Sequence, residues 1–279
     1  MKIKEVIEIV LGYHPMFPKE YKGADDFKCG NPEDECTGVV VALVPTVNVI
    51  KKAIELNANL ILCHEPTYHT SSDDGWHEAF NNSVVEEKMK LVEDHGIVIW
   101  RDHDHMHAHQ PDQIFTGVLK YLGFDQQFYK NSNTGAFAHY ICDIEETTLE
   151  CLCVYLCDKI GLNGCRYIGD PDLAVKRIAF LGHLYPEKRE VEYSVNCIRE
   201  FEEHDVDVVI PLETIDWTIC SYVRDGYQLN KPMGLISAGH FNIEELGMKY
   251  LCEQLKPLVS GVCMTYVESE DIYYYYKKG

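Results

Sequence analysis

The sequence predicts an α/β protein with two related α/β lobes, each with a sheet covered by helices, and a small inserted α+β subdomain. Short apolar runs rich in β-branched residues alternate with amphipathic segments, which is typical of buried strands followed by covering helices. The two halves of the chain also resemble each other in sequence: NLILCHE (59–65) resembles DVVIPLE (207–213), and GIVIWRDH (96–103) resembles MGLISAGH (233–240). Sequence identity between the halves is weak, so this similarity supports a shared architecture more firmly than a gene duplication.

The apolar runs and the amphipathic segments give the predicted elements in order. Strands are expected at 38–44, 59–63, 96–100, 176–182, 206–210, 233–238 and 262–267. Helices are expected at about 3–11, 46–56, 82–94, 111–122, 147–160, 187–203, 213–225 and 242–256.

The segment between the two lobes is too long for a simple crossover, and its Gly and Asn residues favour a small subdomain of its own. We therefore predict a first lobe at 1–123, an inserted subdomain at 124–172 and a second lobe at 173–279. The second lobe is expected to complete a metal-binding domain.

Composition limits the classes of partner. The chain has 45 acidic and 25 basic residues and a net charge of −20, which disfavours nucleic acid and anionic membranes. No run approaches the ~18 apolar residues of a membrane helix, and the amino-terminal residues do not read as a signal peptide. We expect a cytoplasmic protein with reduced cysteines and a small-molecule substrate. Cys151, Cys153 and Cys157 lie in a helical pattern that favours burial, although redox sensing stays open.

Three predicted strands end in turns that contain histidine. The first turn carries His64 and Glu65, and the second, RDHDHMHAHQ (101–110), carries four histidines. The third, SAGHFNIEELG (237–247), has His240 before a helix that Asn242 is predicted to cap, with Glu244 in the first turn. The first two turns alone could also be solvated surface side chains, and Glu244 in the third could simply stabilise the helix dipole. Because ligands collect at the carboxyl ends of strands in α/β sheets, the three together favour a common metal site.

These segments resemble the NGG-one-interacting-factor-three-like proteins, often described as GTP cyclohydrolase I type 2 homologues. The resemblance runs through GNP (30–32), 38–66, the His-rich turn, VKRIAFLG (175–182), VDVVIPLE (206–213) and SAGHFNIEELG (237–247). It implies a dinuclear metal centre in a cleft between the lobes and a hexameric, ring-shaped assembly.

The resemblance is carried over residue by residue. His64, His240 and Glu244 match the family pattern, whereas Glu65 replaces a second histidine and His107 replaces an aspartate four residues after His103. The two replacements run in opposite directions and keep three histidines and two carboxylates, so we expect the ligand count and charge to be preserved. The alternative is that each replacement loses a ligand and leaves one metal or none.

The predicted metal ligands are therefore His64, Glu65, His107, His240 and Glu244. They would hold two divalent transition-metal ions per chain, with zinc, iron or manganese favoured by mixed imidazole and carboxylate ligands. His103, Asp104 and His105 are the predicted proton carriers or orienting groups. Glu213 is a weaker candidate, since Pro211 and Leu212 alter the turn that the family has there.

The expected function is that of a metal-dependent hydrolase acting on a small nucleotide-like or phosphorylated substrate. The alternative is a non-catalytic metal-binding scaffold that forms a ring and binds a partner. No P-loop and no dinucleotide fingerprint occurs in the sequence.

Overall fold

The computed structural model describes the backbone of all residues except 19, 74, 127, 131–138, 184–189 and 277–279, and no side chains of 128–130 or 190–196. Contacts divide the chain into two compact units. Unit 1 comprises Met1–Gly117 and Glu245–Glu270, and unit 2 comprises Val118–Glu244 and Asp271–Gly279. In the described residues, no helix has the length and apolar character needed to cross a bilayer.

The described strands of unit 1 form one sheet with the order β1-β4-β3-β2-β11. The strands are β1 (Phe27–Cys29), β2 (Val39–Ala42), β3 (Leu60–Cys63), β4 (Val98–Arg101) and β11 (Met264–Tyr266). All pairs are parallel except β1 with β4. Every residue of β2, β3 and β4 is buried, which explains why these strands are continuous apolar runs.

The helices of unit 1 are α1 (Ile3–Tyr13), α2 (Val47–Glu55), α3 (Ser83–Asp94), α4 (Asp104–His107) and a 3₁₀ turn at Trp76–Ala79. Two helices of unit 1, α2 and α3, begin at side-chain caps. Thr46 accepts the Val49 N–H at 3.2 Å, and Asn82 accepts the Val85 N–H at 3.3 Å. Two further helices, α5 (Gln113–Leu122) and α9 (His240–Leu255), contain the points where the chain passes between units.

The described strands of unit 2 form a second sheet with the order β5-β6-β8-β9-β10-β7. The strands are β5 (Phe128–Lys130), β6 (His139–Thr148), β7 (Arg166–Ile168), β8 (Ala174–Leu181), β9 (Val208–Pro211) and β10 (Gly234–Ser237). The central strands β8, β9 and β10 are parallel, and the other pairs are antiparallel. The helices are α6 (Leu149–Ile160), α7 (Glu190–His204) and α8 (Ser221–Gln228), which follows a π-helical turn at Asp216–Cys220.

The predicted α/β class and the two helix-covered sheets are confirmed, and each of the seven predicted strands is present. The chain division differs from the predicted borders, because the strands at 128–130, 139–148 and 166–168 belong to the same sheet as β8, β9 and β10. Residues 187–189 of one predicted helix lie outside the described residues. The predicted helix at 213–225 is instead the π-helical turn and α8.

The predicted cap at Asn242 is wrong. Helix α9 begins at His240, so Asn242 lies inside it, and its amide donates to the Ala238 carbonyl at 2.8 Å. Glu245, in the same helix, accepts from the Tyr266 hydroxyl and the Ser269 N–H. The segment at 149–160 is one helix that buries Leu152, Cys153 and Leu156, but of its three cysteines only Cys153 is buried, because Cys151 is exposed and Cys157 is half-buried.

Candidate metal-binding clusters

Two adjacent strand ends in unit 1 bring histidines together. The last residues of β3 and β4, Cys63 and Arg101, lie opposite one another in the parallel register. His64 follows the first of these strands directly, and the turn after the second contains His103 and His107. Register therefore places these three histidines at one edge of the sheet, as the sequence predicts for this half of the site.

We call His64, His103 and His107 the first cluster. Each offers a ring nitrogen, and these nitrogens lie within 4.8 Å of one another. The ring centroids are 4.4 Å apart for His64 and His103, 4.9 Å for His64 and His107, and 4.6 Å for His103 and His107. Three imidazoles at such distances cannot all be protonated, because the positive charges would repel one another. The cluster therefore favours neutral rings, whose lone pairs can bind a metal.

Each ring of the first cluster is oriented through its Nδ1 atom by an oxygen that can only accept a hydrogen bond. The three contacts are His64 Nδ1 to the Asp102 carbonyl (3.0 Å), His103 Nδ1 to Asp104 Oδ1 (2.8 Å) and His107 Nδ1 to Asp112 Oδ2 (2.6 Å). Because Nδ1 must carry the hydrogen in all three rings, a neutral ring has its lone pair on Nε2. Carboxylate or carbonyl partners of this kind are the usual orienting groups of metal-binding histidines.

The environment of His64 and His103 favours the neutral form of both rings. Burial, reinforced by the neighbouring imidazoles, lowers the pKa of His64 well below its ordinary value. Burial also lowers the pKa of His103, even though its hydrogen bond to Asp104 opposes that change. Burial raises the pKa of Asp104, but hydrogen bonds from His103, Tyr21 and the Ala24 N–H outweigh it and hold the carboxyl group ionised.

Glu65 adds a carboxylate beside the first cluster. Its side chain is buried, and one of its oxygens lies within 4.8 Å of a ring nitrogen of His64. Unit 1 thus offers three imidazoles and one carboxylate from two neighbouring strand ends. A set with these donor types suits a divalent transition metal.

His105 lies in a different group from the first cluster. Its Nδ1 donates to Asp25 Oδ2 at 2.6 Å, and a ligand atom of Asp102 lies within 4.8 Å of both residues. The same Asp25 carboxylate also accepts the backbone N–H groups of residues 103–105 and so caps the short helix α4. Of the predicted proton carriers, His103 therefore lies among the imidazoles, Asp104 orients it and His105 lies beside Asp25.

A second set of strand ends in unit 2 repeats the arrangement. Leu181 of β8 pairs with Pro211 of β9, and His183 and Glu213 each stand two residues beyond that pair. The next strand, β10, runs parallel to β9, and His240 follows it after a turn. Gly239 has a φ of +97°, a conformation that other residues rarely adopt, and it turns the chain directly into α9.

We call His183, Glu213, His240 and Glu244 the second cluster. Glu213 Oε1 accepts from His183 Nδ1 at 2.8 Å and from His240 Nδ1 at 3.2 Å. The other ring nitrogen of His240, Nε2, lies 2.9 Å from Glu244 Oε2, one helical turn further along α9. Burial raises the pKa of Glu213, but the hydrogen bonds from His183 and His240 outweigh burial and lower it, so the carboxylate is ionised.

The structure adds one residue that the sequence analysis missed and strengthens another. His183 directly follows the predicted strand at 176–182. The same argument that selected the other histidines, their position at the carboxyl end of a strand, would therefore have identified it. Glu213, a weak candidate from the sequence, bridges two imidazoles. Both clusters fit a divalent metal by donor type, since they combine buried imidazole and carboxylate groups that ordinary cores exclude. Their predicted union in one centre stays a prediction, since they lie in different units.

Comparisons with known proteins agree with the resemblance. The chain matches the Duf34/NIF3 (NGG1p interacting factor 3) family model over residues 1–271. A Clostridium acetobutylicum protein named GTP cyclohydrolase 1 type 2 homolog is 24% identical over 249 residues, which is 88% of this chain and 85% of the relative. The Staphylococcus aureus hypothetical protein SA1388 has a TM-score of 0.71 at 16% identity, with 99% of both chains covered. A Bacillus cereus protein related to NIF3 has a TM-score of 0.71 at 14% identity, with 100% of this chain and 99% of that one covered. At these identities the structural likeness shows the fold.

Proposed function

Because this chain belongs to the Duf34/NIF3 family, we propose that it is a metal-dependent hydrolase with a dinuclear centre that acts on a small nucleotide-like or phosphorylated substrate. The observation that carries this proposal is the orientation of the first cluster. Three buried or half-buried imidazoles each give their Nδ1 hydrogen to a fixed oxygen acceptor, while their ligand atoms lie within 4.8 Å of one another. A merely structural histidine needs no such convergence of three rings.

The predicted ligands are His64, Glu65, His107, His240 and Glu244, and the geometry supports adding His103, His183 and Glu213. When bound, divalent ions at such sites lower the pKa of a water and stabilise negative charge on a phosphoryl or carbonyl oxygen. Zinc, iron and manganese are the metals that the donor set favours, and two ions per chain stay a prediction.

The residues around the ligands have separable roles. Asp104 and Asp112 accept the Nδ1 hydrogens of His103 and His107 and so leave the Nε2 atom of each ring available to a metal. Buried Glu244 holds the Nε2 side of His240. The sequence predicts His103, Asp104 and His105 as proton carriers; because His103 is now a proposed ligand and Asp104 orients it, we propose that proton transfer to the leaving group falls to His105.

The name of the Clostridium acetobutylicum relative supports a nucleotide-like substrate, because that protein is called a GTP cyclohydrolase 1 type 2 homolog. The chain contains neither a P-loop nor a dinucleotide fingerprint, so recognition of such a substrate would depend on the neighbourhood of the metal. We further propose a cytoplasmic homo-oligomer, a hexamer by family resemblance, which light scattering on the purified protein would test.

The experiment is a hydrolase screen. Protein stripped with a chelator and reloaded with zinc, iron or manganese is assayed against phosphoester, nucleotide and amide panels, with His240→Ala as the inactive control. We expect metal-dependent turnover in one panel and its loss in the variant. If the reloaded protein binds metal but turns over nothing, the non-catalytic scaffold is the better description.

A further inference from the structure

Unit 2 contains a cavity of about 430 Å³ that opens beside the second cluster. Glu213 and His240 line it, and its other walls come from the first residue of β7, the end of β10 and the segment at 271–273. This volume suits a small organic molecule, since ligand cavities commonly measure ~300–1,000 Å³. A small molecule bound in this cavity would therefore lie next to a metal held by Glu213 and His240.

Arg166 is the cationic residue among those that line the cavity. Its side chain is exposed, and its Nη2 donates to the neutral hydroxyl of Thr214 at 3.1 Å. Among the described residues it forms no ion pair, although the chain has twenty more acidic than basic residues. A guanidinium without a carboxylate partner at a cavity wall is available to an anionic group, which it can bind with two parallel hydrogen bonds.

The remaining charges define where that anionic group can lie. Glu213 and Asp271 also line the cavity and would repel an anion placed next to them. Thr214, the partner of Arg166, is the residue after Glu213, so the cationic wall and the second cluster are neighbours. Phe241 and Tyr273 contribute aromatic faces to the same cavity, on which a flat ring can stack.

We propose that this cavity is the substrate site, and that it takes a ring-bearing organic anion, a phosphate monoester or a carboxylate, whose charged group is held by Arg166. The inference rests on the proposed hydrolase function and adds the substrate class and its anchoring residue. The anionic group lies at Arg166, the ring contacts Phe241 and Tyr273, and the bond to be hydrolysed faces Glu213 and His240. Arg166 binds the substrate without taking part in proton transfer.

The test measures binding to chelator-treated protein, so that it does not depend on turnover. Each of two probe pairs combines an anion with an uncharged analogue: adenosine 5′-monophosphate with adenosine, which lacks the phosphate, and hippurate with hippuramide, in which an amide replaces the carboxylate. Calorimetry on the full chain should show the charged member of at least one pair binding about tenfold more tightly, the gain from one charge-assisted contact. A gain in the first pair alone identifies phosphate monoesters, and a gain in the second alone identifies carboxylates.

Arg166→Gln should reduce the charged probe to the affinity of its uncharged partner, and Arg166→Lys should keep part of the difference. Arg224→Gln, which removes another exposed arginine of unit 2 outside the cavity, should change nothing. Arg166 is exposed and β7 pairs through its backbone, so both Arg166 variants should unfold at the wild-type temperature. The proposal is overturned if no probe binds at millimolar concentration, if charge gives no gain, or if Arg166→Gln keeps the gain.

Failure of the hydrolase proposal would look different. Arg166-dependent binding without turnover on any panel would support this anion site and contradict the hydrolase proposal. Turnover of neutral substrates that Arg166→Gln does not change would support the hydrolase proposal and contradict the anion site.

Discussion

The two clusters occupy equivalent strand ends in their sheets but hold their imidazoles differently. In the first cluster the carboxylates of Asp104 and Asp112 stand behind the rings, and the rings face one another. In the second, Glu213 lies between two rings and Glu244 contacts the far nitrogen of one of them. Similar architecture thus yields one imidazole-rich set and one mixed set, which should differ in metal preference because carboxylates favour harder ions.

Removing an imidazole should have the largest effect in the first cluster. His64 is the fully buried ring of the first cluster, so His64→Ala should weaken metal binding there by more than about 100-fold, beyond the loss typical of an orienting partner. The measurement is metal content after dialysis, together with competition against a chromogenic chelator.

His95→Ala is the matched control, because that histidine is exposed and, within the described part of the chain, bonds only the Leu91 carbonyl one turn earlier. Unchanged metal affinity in His64→Ala, with the fold intact by circular dichroism, would show that the convergence of the three rings is a structural coincidence.

His183→Ala tests the second cluster through the residue that the sequence analysis missed. Loss of this ring removes one of the two donors to Glu213, so metal affinity should fall by about 100-fold. His139 offers a control of the same kind, since it also pairs with a buried carboxylate, Glu200, at 2.6 Å.

His139→Ala should lower the thermal midpoint, because breaking a buried pair costs about 3–5 kcal/mol, but leave metal affinity unchanged. If both substitutions reduce stability alone, His183 is a structural residue and the second cluster is smaller than proposed.

The parts of this fold that the sequence predicts are those with uniform burial. Strands such as β3 and β9 are buried on both faces, so they read as unbroken apolar runs. By contrast, β1 is three half-buried residues, and the second half of β6 is a mixture of half-buried and exposed residues, so neither carries the apolar signal.

The candidate site follows the same logic. His64 and His240 were predictable because each follows an apolar run, whereas the value of Glu213 depended on the register that puts Pro211 opposite Leu181. The orienting groups Asp102 and Asp112 carry no local signal, because their role arises only when separate turns meet.

The exchanged ligands Glu65 and His107 allow a sharper comparison within unit 1. Glu65→His leaves that set without a carboxylate, and His107→Asp adds one and places it near Asp112, so each change should weaken metal binding by about 10–100-fold. The double variant restores the original count of imidazoles and carboxylates. We expect it to bind metal about tenfold more tightly than either single variant.

A double-mutant cycle on metal dissociation constants gives the result. Effects that add to within about 0.5 kcal/mol would mean that the two positions are independent, and the exchange argument would be wrong.

Asp112→Asn should have a smaller effect, because it keeps a side-chain oxygen but removes the charge that holds His107 Nδ1. We expect about a tenfold loss of metal affinity, at the lower end of the range for orienting partners. Asp112 also accepts the Phe115 N–H at 3.2 Å as a cap of α5, a role that asparagine can keep. A large drop in thermal stability with unchanged metal affinity would assign Asp112 to the helix rather than to His107.

Tyr21→Phe should have the smallest effect, because it acts two contacts away from the metal. The Tyr21 hydroxyl donates to Asp104 Oδ2 at 2.5 Å, and Asp104 Oδ1 in turn accepts from His103 Nδ1. Without the hydroxyl, Asp104 keeps the Ala24 N–H and the imidazole as donors, so it stays ionised and still orients the ring. One hydrogen bond contributes about 1 kcal/mol to this alignment, so metal affinity at the first cluster should fall severalfold and no further. The described hydrogen bonds of Tyr21 lie within unit 1, to Asp104 and Asp25, so the metal affinity of the second cluster should not change. If Tyr21→Phe reduced metal affinity as much as His64→Ala, Asp104 itself would be a metal ligand in addition to His103, the imidazole that it orients.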